Sequence, residues 1–125
     1  MKLASPKRPV VALMGDGALL YNPITQALGV ANESDLPIMI VVFNNSSYAA
    51  MKRLHLSFYP DGDAAKSGIF HGVNIPGPDY QQLASPFGGH GECVEDPKRL
   101  AGAIKDGLAA VAKGQVAILD VALSG

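Results

Sequence analysis

Val10-Val11-Ala12-Leu13-Met14-Gly15-Asp16-Gly17, read together with Ile38-Met39-Ile40-Val41-Val42-Phe43-Asn44-Asn45, decides the fold. Each apolar run is too short for a helix and reads as a buried strand. Gly15-Asp16-Gly17 ends the first run and Asn44-Asn45 ends the second. Between them, Asn22-Pro23 predicts a helix start, with Asn as cap and Pro at the first helical position. Ile24, Ala27, Leu28 and Ala31 then recur at helical spacing to about Asn32. Glu33-Ser34-Asp35 is a turn, and Pro37 opens the second strand. Strand–helix–strand over this span is a βαβ unit, which is right-handed in nearly all cases. Two parallel neighbours bring Asp16 and Asn45, 29 positions apart, to the carboxyl edge of one sheet. Open parallel sheets bind ligands at that edge. A carboxylate and an amide oxygen are hard donors that suit Mg²⁺, an ion that keeps waters and shares its shell with phosphates.

Further along, Ser46-Ser47 predicts the cap of a short helix over residues 48–54. Residues 57–79 carry no clear period, and a loop of that length inside a domain is usually functional or mobile. Asp79 caps a helix to about Ala84. Phe87-Gly88-Gly89-His90-Gly91 reads as a turn and 92–94 as a short strand. Asp96-Pro97 starts the last helix, with Leu100, Ile104, Leu108 and Val111 on one face, and Gly114 ends it. Residues 116–122 form the final strand. Strands alternating with helices argue for a single three-layer α/β domain, a mostly parallel sheet with helices on both faces.

The composition excludes several classes. The chain has 125 residues, 48% hydrophobic, enough for one domain with a filled core. A formal net charge of −1 gives no reason to expect nucleic acid or an anionic membrane as partner. Pro6-Lys7-Arg8-Pro9, the nearest approach to a basic cluster, reads as a solvated turn. No apolar stretch approaches the roughly 20 residues of a membrane helix, and the N-terminus lacks the apolar core of a signal peptide. The single Cys93 reads as a small core residue. The expectation is a cytoplasmic protein.

The glycines flanking Asp16 let the backbone approach a ligand. Amides at a strand end beside a helix start make an anion site, so Gly17, Ala18 and Leu19 are candidate phosphate donors. A carboxylate repels a bare phosphate, and a divalent cation between them removes the conflict. Spacing leaves Asn44 and Asn45 equal as the amide ligand. Among the histidines, His90 reads as exposed in its turn, His71 lies in the irregular segment, and His55 suits a helix end. No His/Cys cluster has zinc spacing.

The stretch Gly15-Asp16-Gly17-Ala18-Leu19-Leu20-Tyr21 … Asp35-Leu36-Pro37 … Val42-Phe43-Asn44-Asn45 resembles the cofactor motif of thiamine diphosphate-dependent enzymes, a Gly-Asp-Gly followed nearly thirty residues later by Asn-Asn. The likeness extends over Tyr48-Ala49-Ala50-Met51-Lys52, Val73-Asn74-Ile75-Pro76-Gly77-Pro78-Asp79-Tyr80, Phe87-Gly88-Gly89-His90-Gly91-Glu92 and Val116-Ala117-Ile118-Leu119-Asp120-Val121. Nearly the whole chain resembles the C-terminal diphosphate-binding domain, nearest to the benzoylformate decarboxylase and acetolactate synthase branch. The resemblance implies thiamine diphosphate and Mg²⁺ as cofactors. It implies Asp16, the Asn45 side chain and the Ser47 carbonyl as metal ligands, two diphosphate oxygens and a water completing the shell. It implies Gly15, Gly17, Ala18 and Tyr48 around the cofactor, and Ala50, Met51 and Leu54 toward the substrate. The implied chemistry is decarboxylation or carboligation of a 2-oxo acid.

In that family a glutamate from a separate pyrimidine-binding domain, usually on a partner subunit, activates the cofactor. No residue here can be given that role. Lys2-Leu3-Ala4 reads as the tail of a helix preceding strand 1, so the domain is expected to be incomplete at its N-terminus. The chain is then a fragment or split subunit of a larger enzyme, acting in a homo- or hetero-oligomer. The competing expectation is an association module that keeps the fold without the cofactor. A nucleotide-binding domain of similar architecture is disfavoured, because no G-x-G-x-x-G and no Walker-type lysine follows strand 1.

Overall fold

The computed structural model describes residues 1–123. After two turns over residues 1–8, the elements are β1 (Val11–Gly15), α1 (Asp16–Tyr21), α2 (Ile24–Glu33), β2 (Met39–Asn44), α3 (Ala49–Phe58), α4 (Asp63–Ser67), β3 (His90–Val94), α5 (Leu100–Ala112) and β4 (Ala117–Ala122). A 3₁₀ segment, Tyr80–Phe87, precedes β3, and a shorter one, Pro97–Arg99, precedes α5. The four strands form one sheet in the order β1-β2-β4-β3, and every pair is parallel. Stepping from β1 to β2 and from β3 to β4 runs in opposite directions across this order. Right-handed crossovers then place α2 and α5 on opposite faces.

The first face buries Leu19, Leu28, Ile40, Val42, Tyr80 and Ile118. The second buries Met39, Val41, Ala103, Val111 and Leu119 beneath α5. Expected helical spacing put Ile104 against the sheet, yet it is 37% exposed. The buried stripe of α5 is instead Ala103, Gly107, Ala110 and Val111. These small residues let the helix approach closely: a Cβ on Gly107 would lie 3.2 Å from Met39 Sδ. The helical layer is also incomplete on this face. Val11 and Leu13 of β1 remain 43% and 66% exposed, with Phe43 beside them.

Other boundaries depart from the sequence reading for local reasons. Gly15 is extended, so Asp16 already begins α1, where an acid suits the helix dipole. The span 57–79 contains α4 and a bridge between Ser47 and Asn74. The glycines at 88–91 are not all turn residues. Gly88 is left-handed (φ 64°) and ends the 3₁₀ segment. Gly91 already lies in β3, where a Cβ would collide with the Gln81 carbonyl. His90 is therefore a half-buried strand residue, its Nε2 3.7 Å from Glu92 Oε2. Cys93 is exposed rather than in the core, because β3 is an edge strand. Residues 2–4 lie in a turn, where a helix tail was expected.

Candidate functional site

The register pairs Gly15 with Phe43, so the turns that follow β1 and β2 leave the sheet side by side. The groove between them is lined by Gly15, Asp16, Gly17, Ala18, Asn45, Ser47, Tyr48, Ala50 and Met51. Sequence spacing thus brings nearly all the expected site residues to one place. Leu19 and Leu54 are the exceptions. Leu19, a candidate phosphate donor, is buried in the core of the first face, and Leu54 lies one turn further along α3, half exposed, and does not wall the groove. Arg53 does line it, a residue the sequence reading missed. Its signal was available: Arg53 stands three positions from Ala50, on the same helical face.

Asp16 is 3% exposed. Its Oδ1 accepts the Gly17 amide at 2.8 Å, while Oδ2 is buried without a hydrogen-bond partner among the described residues. A buried carboxylate oxygen left unpaired is costly, and a cation is the partner that best offsets the cost. That oxygen is the observation by which the site fits a hard divalent ion. The Gly17 amide, expected to face a phosphate, is spent on Asp16. The Ala18 amide, in the first turn of α1, has no intrahelical partner. Gly17 is required sterically, since a Cβ there would strike the Tyr48 ring, with Cδ1 at 2.8 Å. The Tyr48 ring in turn lies 5.6 Å from that of Tyr21. Partial burial, then the nearby Tyr21, push the Tyr48 phenol above its ordinary range, so it stays neutral and able to donate.

The second turn distinguishes its two asparagines. Asn44 donates from Nδ2 to Asp120 Oδ1 at 3.0 Å, and its Oδ1 accepts from the amide and hydroxyl of Ser46. Both ends of that side chain are engaged. Asn45 Oδ1 accepts the Ser47 amide at 3.0 Å and no other donor among the described residues, and Asn45 is the one in the groove. The turn is tied sideways to residues 73–75. Tyr48 N donates to the Val73 carbonyl and Ile75 N to the Ser46 carbonyl, each at 2.8 Å. That pairing uses neither the amide nor the carbonyl of Ser47 itself, so the Ser47 carbonyl stays available to a ligand.

Among the described residues, no cluster of three His, Cys, Asp or Glu could hold a metal alone. Any ion here must take its remaining ligands from outside the protein, as Mg²⁺ on a phosphate does. Nor does any described helix have the length and apolarity to cross a membrane.

The family model for the thiamine pyrophosphate enzyme C-terminal TPP binding domain matches residues 1–121. The acetolactate synthase large subunit of Buchnera aphidicola subsp. Acyrthosiphon pisum is 27% identical over 121 residues, 97% of this chain and 20% of that protein. The benzoylformate decarboxylase of Pseudomonas aeruginosa is 31% identical over 109 residues, 87% of this chain and 19% of that protein. A solved structure, the Rhodococcus jostii RHA1 thiamine diphosphate-dependent 4-hydroxybenzoylformate decarboxylase, superposes with a TM-score of 0.73 at 30% identity, covering 98% of this chain and 20% of that one. The chain spans about a fifth of the length of the curated relatives it matches.

Proposed function

This chain belongs to the thiamine pyrophosphate enzymes as a C-terminal TPP-binding domain, and we propose that it grips the diphosphate of thiamine diphosphate through Mg²⁺ as one part of a 2-oxo acid decarboxylase or carboligase. Asp16, the Asn45 side-chain oxygen and the Ser47 carbonyl are the protein's ligands to the ion. The Ala18 amide faces the diphosphate, and Gly15 and Gly17 let the backbone come close to it. The observation that carries the reading is the buried, unpartnered Oδ2 of Asp16 in the same groove as Asn45 and Ser47.

When bound, the cofactor supplies the electron sink for cleaving a bond beside a keto group. This chain's own residues bind and orient. Tyr48 closes the groove beside Gly17, Ala49 and Ala50 leave room toward the substrate, and Met51 presents apolar surface there. The glutamate that activates the cofactor comes from a pyrimidine-binding domain or subunit. The α3 surface at Leu54 and Phe58, both more than half exposed, is where that domain or subunit docks. The test is calorimetric titration of thiamine diphosphate into the chain with Mg²⁺ and with EDTA. Binding should require Mg²⁺ and vanish in Asp16→Ala; binding that survives either change contradicts the reading.

The uncovered apolar face at Val11, Leu13 and Phe43 supports a second reading, an association module. Under that reading, assembly is unchanged by Asp16→Ala and Asn45→Ala, and neither the parent chain nor the variants take the cofactor.

A further inference from the structure

Asp120 is a carboxylate in the middle of the core. It sits in the central strand β4, beside Val42 in the register, and is 4% exposed. An aspartate at such a position lowers stability relative to an apolar residue unless its burial serves another group. Its principal side-chain partner is Asn44, one pleat further along β2, with Nδ2 at 3.0 Å from Asp120 Oδ1. Asn44 holds Ser46 through two hydrogen bonds to its own Oδ1, at 3.0 Å from the amide and 3.2 Å from the hydroxyl. Ser46 has a φ of 52°, a left-handed conformation that a serine seldom keeps without outside support. That conformation turns the chain so that Asn45 and Ser47 face the groove that holds Asp16.

We propose that Asp120 is a positioning residue for the cofactor site, acting through Asn44 to lock the 44–47 turn in the geometry that presents Asn45 and the Ser47 carbonyl to the ion. The proposal deepens the Mg²⁺-diphosphate reading and rests on it for the ligand. The tether itself is a property of the free chain. Asp120→Ala removes the anchor. Asp120→Asn keeps an oxygen that accepts from Asn44, and so keeps the tether.

Two measurements on the 125-residue chain test this. The first is amide hydrogen exchange without any ligand. Asp120→Ala should lose protection at Tyr48 and Ile75, whose amides pin the turn to residues 73–75. The Ala117 amide, bonded to the Ile38 carbonyl at the far end of the sheet, should keep it. Asp120→Asn should resemble the parent. The second is titration of Mg²⁺ in the presence of thiamine diphosphate. Outer partners of metal ligands are commonly worth about 10- to 100-fold in affinity. That loss is expected in Asp120→Ala, with recovery to within a few-fold in Asp120→Asn. Unchanged protection at Tyr48 and Ile75 in Asp120→Ala overturns the proposal, as does an equal loss at every core amide. If the parent chain takes no Mg²⁺ with thiamine diphosphate, the cofactor reading fails, and the exchange data decide the tether alone.

Discussion

The two turns that meet in the groove are held by different forces. The turn after β1 is held by packing. Asp16, Gly17 and Leu19 are all buried, and the Tyr48 ring presses on the Gly17 backbone. The turn after β2 is held by directed hydrogen bonds. Asn45 and Ser46 are exposed, yet Asn44, Asp120 and the backbone of residues 73–75 fix them. Packing is insensitive to pH and salt but intolerant of added volume. Hydrogen bonding to a buried carboxylate tolerates volume changes nearby but responds to protonation. The proposed metal site, drawn from both, inherits both sensitivities.

The largest expected effect tests the packed turn. Leu19 is 1% exposed in the core of the first face, and Leu19→Ala should cost about 2–5 kcal/mol of unfolding free energy. Urea titration reads it, and a loss below 1 kcal/mol would mean that α1 is not held by burial. Gly17→Ala comes next, at about 1–3 kcal/mol from overpacking against Tyr48. Most of that loss should be recovered when Tyr48→Ala is added, and full additivity of the two changes would break the assigned contact.

The hydrogen-bonded turn is sharpened by pH. Burial raises the Asp120 carboxyl above its ordinary 3.8, opposed in part by the Asn44 amide and the Tyr80 backbone amide, with the charges of Asp16 and Asp79 raising it further. A raised carboxyl binds its proton more readily in the native state. Its contribution to stability therefore grows as pH falls from above its folded value toward 3.8 and is unfavourable at neutral pH. Asp120→Asn should raise Tm at pH 7 and remove that part of the acid-side gain. A lower Tm at pH 7 would contradict the sign. The smallest effect belongs to a surface pair remote from both turns. Arg99 bonds Glu92 through Nε at 2.7 Å and also reaches Asp106 at 2.6 Å, with Arg99 and Asp106 about half exposed and Glu92 mostly covered. Arg99→Met should lower Tm slightly, less so in high salt, with cofactor binding unaffected.

The packed turn and the strands beneath it were legible because their signals are local. The two apolar runs and the glycines at 15 and 17 each act on neighbouring residues, as does Pro23, although it is Pro23 that stands at the N-cap of α2 while Asn22, expected as that cap, donates from Nδ2 to the Ala18 carbonyl and closes α1. The all-parallel sheet and the groove followed from them. What escaped depends on distant partners. Asp120 reads as one polar residue in a strand, and nothing within ten positions of it announces Asn44. Gly91 looks like a turn residue until Gln81 is placed against it. Ile104 looked buried because spacing does not reveal that Ala103 and Gly107 let α5 rotate a smaller face toward Met39. Spacing alone left Asn44 and Asn45 equal, and the bond that engages Asn44 comes from Asp120, 76 positions away.

The central claim is that the packed turn and the hydrogen-bonded turn share one cation. Mn²⁺ substituted for Mg²⁺ in the presence of thiamine diphosphate tests this directly through paramagnetic broadening of backbone amide resonances. Selective broadening of Gly17, Ala18, Ser46 and Ser47 together, abolished by Asp16→Ala, is the expected result. Broadening confined to one of the two turns, or centred on the surface carboxylates Asp61 and Asp63, would contradict it.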